Sequence, residues 1–168
     1  MQRRTLLKLG LGATVVLALA GGGLALLKPG LSGGRLSGPA RAVFGALARA
    51  VLYGSLPTDA AERQAAIADH LQRLESTLAA FPAATQAELS QLLALLSSTA
   101  GRVALAGLRS DWPEASVTDL QQALQDMRTS GLAMRQQVYH ALRDLTNAAY
   151  YADPKAWPML GYPGPRAL

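Results

Sequence analysis

The sequence predicts an all-α fold: a small bundle of five to six helices, preceded by an N-terminal hydrophobic helix and closed by an extended Pro/Gly-rich tail. Half of the 168 residues are apolar but only 5% are aromatic, and Leu and Ala dominate, a composition that favours helices packed on helices over a sheet. Between residues 39 and 151 the apolar residues recur at helical spacing, and Gly and Pro punctuate the runs. A chain of this length supports one compact domain once a targeting segment is set aside. The expected organisation is a signal and hydrophobic segment over 1–28, a Gly/Ser-rich linker over 29–38, a helical domain over 39–153 and an extended tail over 154–168.

Gln2-Arg3-Arg4-Thr5-Leu6-Leu7-Lys8 matches the twin-arginine export pattern of paired arginines, a variable residue, two large apolar residues and a lysine. The signal residues are Arg3, Arg4, Leu6, Leu7 and Lys8, with Gln2 standing where Ser or Thr is usual and Leu6 where Phe is commonest. Leu9 to Leu27 follows as nineteen residues without a charge, softened by Gly10, Gly12, Gly21, Gly22 and Gly23, which suits an export signal. A stretch of about twenty apolar residues also just spans a bilayer, so an anchor in the inner membrane is the competing outcome. Ala18-Leu19-Ala20 satisfies the small-x-small cleavage rule, with Leu24 to Leu27 still behind it. The expectation is a periplasmic protein carried by the twin-arginine translocase, a route for cargo that is already folded.

Gly30 to Gly38 reads as the flexible linker. Ser37 and Pro39 open a first helix carrying Val43, Leu47, Ala50 and Val51 and stopped at Gly54. Thr58 and Asp59, with Glu62 three residues after the aspartate, cap a second helix through Ile67, His70, Leu71, Leu74 and Leu78 to about Phe81. Pro82 opens a third, with Leu89, Leu92, Leu93 and Leu96 on its apolar face, and Ser97-Ser98-Thr99 caps a short fourth over Arg102 to Leu108. After Asp111-Trp112-Pro113, Ser116 to Asp119 starts a fifth helix through Leu120, Leu124 and Met127. Gly131 separates it from a sixth, Leu132 to Tyr151, with Met134, Val138, Leu142, Leu145 and Ala149 on one stripe. Beyond Asp153-Pro154 the prolines and glycines deny the tail regular helix, yet Trp157, Met159, Leu160 and Tyr162 make it a segment that docks on this domain or on a partner.

The net charge of +5 is polarised: residues 1–58 hold seven basic and no acidic side chains, and residues 59–168 hold nine basic and eleven acidic ones. Without residues 1–28 the remainder stands at +1, which argues against nucleic acid, because duplex binding requires a basic stripe. There is no cysteine, so disulfides, thiolate zinc sites, iron–sulfur clusters and covalent haem are excluded from this chain. His70 and His140 are the only histidines, each inside a helix and without a second histidine at metal-binding spacing. No phosphate-cradling glycine loop or serine elbow occurs. No catalytic, cofactor-binding or metal-binding residue is therefore assigned on this chain. Tyr139, His140, Arg143, Asp144 and Asn147 form a polar strip on the sixth helix, read either as a solvated face or as a partner-binding one.

The twin-arginine signal, the Leu/Ala helical domain and the segment Asn147-Ala148-Ala149-Tyr150-Tyr151-Ala152-Asp153-Pro154, leading to Gly161-Tyr162-Pro163-Gly164-Pro165, together resemble the gluconate 2-dehydrogenase subunit 3 family. Many members have Gly with two aromatics before the Asp-Pro, where this chain has Ala149-Tyr150-Tyr151-Ala152. The resemblance implies a non-catalytic small (gamma) subunit of a membrane-bound FAD-dependent sugar or alcohol dehydrogenase. Such a subunit binds a large flavoprotein of the glucose-methanol-choline (GMC) type, which carries the FAD, and supplies its export signal. A multihaem cytochrome c subunit often completes these complexes and passes electrons to quinone. On this reading the partner-binding residues are Tyr139, Arg143, Tyr150, Tyr151, Trp157, Tyr162 and Pro163, with Trp157 and Tyr162 the first anchors and Tyr150 and Tyr151 equally suited to an intrachain core. Two alternatives remain: an independent exported helical binding or stress module with its tail folded on its own bundle, and an enzyme using His140, Tyr139 and Asp144.

Overall fold

A computed structural model describes residues 28–164, so the expected export signal and Leu9–Leu27 lie outside the described residues. The described chain is a mostly helical bundle of six helices. They are α1 (Gly38–Val51), α2 (Ala60–Ala79), α3 (Ala83–Ser97), α4 (Thr99–Gly101), α5 (Val117–Arg128) and α6 (Ala133–Tyr151).

Local chemistry starts most of them. The Ser37 hydroxyl accepts from the Ala40 N–H and Pro39 sits in the first turn of α1; Asp59 accepts from the Glu62 N–H at 2.9 Å, and Ser116 accepts from the Asp119 N–H at 3.1 Å. Each cap satisfies an N–H that the first helical turn leaves unpaired. Helix α1 buries Ala40, Val43, Phe44, Ala46, Leu47, Ala48 and Ala50, too many directions for one face. It is the axis of the bundle, packed on α2, α3, α5 and α6. Leu71, Leu74 and Leu78 of α2, Leu92, Leu93 and Leu96 of α3, Leu120 and Met127 of α5, and Val138, Leu142 and Ala149 of α6 complete the core around it.

Residues 29–38 are not a linker. Leu31–Ser32 (β1) and Arg35–Leu36 (β2) pair antiparallel, Leu31 opposite Leu36, across Gly33 and Gly34, whose φ angles are +56° and +77°. Two consecutive positive φ angles define the hairpin turn that glycine adopts without strain. Leu31 and Leu36 both reach the core. The Ser90 hydroxyl of α3 accepts from the Leu31 N–H at 3.0 Å and donates to the Leu31 carbonyl at 3.1 Å. On the other strand Glu75 of α2 accepts from the Leu36 N–H at 3.2 Å and pairs with Arg41 at 2.6 Å. The same glycine-rich composition that suits a loose tether here makes a tight turn, and two leucines anchor it.

The fourth helix also differs from expectation. Regular α-helix covers only Thr99–Gly101, after which Arg102–Ala106 form a π-helical turn ended by Gly107 at φ +74°. Its carbonyls and those just after it are met by side chains: Arg135 donates to Leu105 O at 2.8 Å, and the buried Arg102 donates to Leu108 O and Arg109 O, each at 3.3 Å, and pairs with Asp111. The α3–α4 junction bends by 89°, and no single helix among the described residues is long and apolar enough to cross a membrane. Nor is the tail wholly extended, since Pro154–Ala156 and Pro158–Leu160 each make one 3-10 turn; proline fits the first position of so short a turn.

Gly30 tests the hairpin's attachment. A Cβ there would lie 2.7 Å from Ser90 O, whereas one at Gly33 meets nothing within 4 Å. Gly30→Ala is expected to cost about 1 to 3 kcal/mol, the usual range for an overpacked site. Gly33→Asn, at a turn position that asparagine tolerates, is expected to unfold near the wild-type midpoint. Urea unfolding of both variants checks this, and equal midpoints would refute the close packing.

Candidate partner-binding surface

The C-terminal end of α6 and the segment after it are held together by one arginine and one tryptophan. Arg73 of α2 donates from Nε to the Ala149 carbonyl at 3.3 Å and pairs through Nη1 with Asp153 at 3.0 Å. The other Asp153 oxygen accepts from the Lys155 N–H at 3.0 Å, capping the first 3-10 turn. Trp157 donates from its indole nitrogen to the Tyr151 carbonyl at 2.9 Å, and its ring meets Tyr162 edge-on at 5.3 Å between centroids. Gly164, at φ +93°, lies so close that a Cβ there would sit 3.2 Å from the indole ring. Trp157 therefore faces its own chain and is half-buried. What the segment leaves open is Tyr151, Met159 and Tyr162, at 39%, 55% and 47% exposure, beside the exposed Pro163.

Tyr150 points the other way, donating its hydroxyl to the Ser55 carbonyl at 2.9 Å. Burial, then the neighbouring Tyr151 and Asp153, push its phenol pKa up. It ties the tail end of α6 to the loop after α1. Tyr150→Phe is expected to lower stability by about 1 kcal/mol, the net worth of one such bond, as read by thermal unfolding.

Tyr139 and Arg143 lie apart from this segment. Tyr139 precedes Tyr151 by twelve residues, about 18 Å along a helix. With Val51, Gln121, Leu124 and Gln125 they line a shallow groove of about 220 Å³. Arg143 pairs with Asp144 at 3.1 Å, both largely exposed, and an ion pair so placed contributes little. His140 and Asp144 are exposed, while Tyr139 and Asn147 are half-buried. The sequence-derived set thus divides into a tail group of Tyr151, Trp157, Tyr162 and Pro163, a groove pair of Tyr139 and Arg143, and Tyr150 bound within the chain. Sequence reasoning gave no signal for Arg73, whose partners lie 76 and more residues away. A second concavity of about 410 Å³ runs between the hairpin and α3, along Leu31, Gln86, Ala87 and Gln91.

One titratable group stands out from the rest of the molecule. His70 is fully buried, neither ring nitrogen has a hydrogen-bond partner among the described residues, and burial, helped by the nearby Arg73 charge, lowers its pKa to about 4. Between pH 6.5 and about 4 the unfolded chain takes up a proton that the folded chain refuses, so the fold loses stability as pH falls through that window. The full loss amounts to about 3 kcal/mol at 1.36 kcal/mol per pKa unit. His70→Leu is expected to unfold at an equal or higher midpoint at pH 7 and to flatten the slope of stability against pH relative to wild type. Parallel slopes in urea titrations across that window would refute the assignment.

Among the described residues no group of three or more His, Cys, Asp or Glu side chains is placed to hold a metal ion. No protein-family model, curated protein or solved structure matches this chain.

Proposed function

We propose that this chain is the non-catalytic small subunit of an exported, FAD-dependent dehydrogenase complex of the GMC type, needed for the folding, assembly and twin-arginine export of the catalytic subunit. The observation that carries the reading is the braced C-terminal segment, which presents Tyr151, Met159 and Tyr162 to solvent on a chain that opens with Arg3-Arg4. Large apolar side chains held in a fixed arrangement at a surface are the usual anchors of a protein interface. A signal on one polypeptide serves two when the cargo crosses the membrane as a folded complex. In this scheme the large subunit binds the FAD and oxidises a sugar or alcohol, and a multihaem cytochrome c takes the electrons. The small subunit contributes surface, not chemistry, and the complex works on the periplasmic side of the inner membrane.

A second reading, the free-standing exported helical module, draws on the same segment, because Arg73–Asp153 and Trp157–Tyr151 fold the tail onto its own body. The exposure of Met159 and Tyr162 weighs against it. The two part in one experiment: a tagged full chain is expressed in a bacterium with its neighbouring genes and recovered from periplasm and membranes. The expected result is a stoichiometric flavoprotein with flavin absorbance, both polypeptides remaining in the cytoplasm in the Arg3→Lys, Arg4→Lys double variant. A colourless monomer, exported alone, would overturn the proposal.

A further inference from the structure

We infer that Arg73 and Gly164 are positioning residues that set the segment Tyr151–Gly164 in the shape a folded protein partner recognises, an inference that rests on the subunit reading above. Six backbone N–H groups between Asp153 and Tyr162 are already bonded within the segment or to the last turn of α6, and Pro154, Pro158 and Pro163 have none to offer. Folded into two 3-10 turns, the segment does not present the extended strand with free main-chain donors that addition to a partner's sheet edge requires. It offers side chains instead. Of the six large apolar side chains exposed among the described residues, three are Tyr151, Met159 and Tyr162.

The occupant such a surface fits is a folded protein with an apolar cavity and acceptors at its rim for the tyrosine hydroxyls. In the subunit reading this is the large flavoprotein. A lipid surface fits less well: from Asp153 to Leu168 the chain carries Asp153, tied to Arg73, and only the two cations Lys155 and Arg166, whereas a peripheral membrane patch uses a cluster of cations. Affinity then depends on how far the arrangement exists before binding, since each freely rotating side chain and loose turn must otherwise be ordered in the complex. Arg73 fixes where the segment leaves α6, through the Ala149 carbonyl and Asp153. Gly164 holds the chain against Trp157, because a Cβ there would sit 3.2 Å from the indole ring on a backbone at φ +93°, a conformation that glycine adopts without strain.

The test measures release of the large flavoprotein from the immobilised full-length subunit for wild type, Arg73→Gln, Arg73→Lys, Gly164→Val and the pair Met159→Ala, Tyr162→Ala. Arg73→Gln and Gly164→Val are expected to dissociate about tenfold faster, the cost of lost pre-organisation, with the helical circular dichroism of the free subunit unchanged at the temperature of the assay. Arg73→Lys, which keeps a cation for Asp153, is expected to recover most of the lifetime. The double alanine variant, which removes contacts and not bracing, is expected to lose capture. If wild type captures the flavoprotein and the Arg73 and Gly164 variants release it at the wild-type rate, the positioning roles are overturned and the subunit reading stands. If wild type captures none, the subunit reading falls and takes this inference with it. Sedimentation with phosphatidylglycerol vesicles that depends on Met159 and Tyr162, without flavoprotein capture, would reassign the surface to lipid and overturn the inference as well.

Discussion

Everything in this bundle depends on how closely four helices approach α1. Helices pack with axes roughly 8 to 10 Å apart, and α2, α3, α5 and α6 all lie against the same fourteen-residue helix. That arrangement requires short side chains in several directions at once. Ala40, Ala46, Ala48 and Ala50 provide them, while Val43, Phe44 and Leu47 fill the gaps. Alanine also has the highest helix propensity, so the residues that permit close approach also favour the helix being approached.

Where the helices end, side-chain donors take over the main-chain carbonyls. Trp112 is buried and gives its indole N–H to Leu96 O at 2.8 Å, closing the end of α3. Arg49 holds the carbonyls of Trp112 and Pro113, and Gln121 reaches Ala50 O at the end of α1. Arg102 and Arg135 do the same around the π-helical turn. Buried backbone polar groups must find partners, and in a chain without cysteine these bonds also tie segments distant in sequence. The irregular region from Arg102 to Ala115 is thus fastened by arginine and tryptophan more than by its own backbone ladder.

This division explains which parts of the structure were legible in the sequence. Ser37-Gly38-Pro39, Asp59 with Glu62, and Ser116 with Asp119 act within four residues, so the starts of α1, α2 and α5 could be read locally, as could the apolar stripes of α2 and α6. The hairpin could not, because a run of four glycines and two serines within Gly30–Gly38 has the composition of a tether, of which Gly33-Gly34 is the turn, and what makes it structure is Ser90, 59 residues away from Leu31. The π-helical turn depends on Arg135 in the same manner. In the candidate site, the apolar tail was visible, but a tryptophan's size and polarity are the same whether it anchors a partner or staples its own chain. The close approach of Gly164 and the bond to Tyr151 O hold Trp157 against its own chain, and the large apolar side chains left exposed there are Tyr151, Met159 and Tyr162.

Arg73 connects the core of the bundle to the tail. It lies one turn along α2 from His70, whose neutral form its charge favours, and the same guanidinium holds the last turn of α6 and the first residue of the tail. Placing a proton on His70 sets a second positive charge beside Arg73 in a poorly solvated interior, where charges interact more strongly than in water. A single arginine on α2 thus both lies near the buried histidine and holds the segment that follows α6.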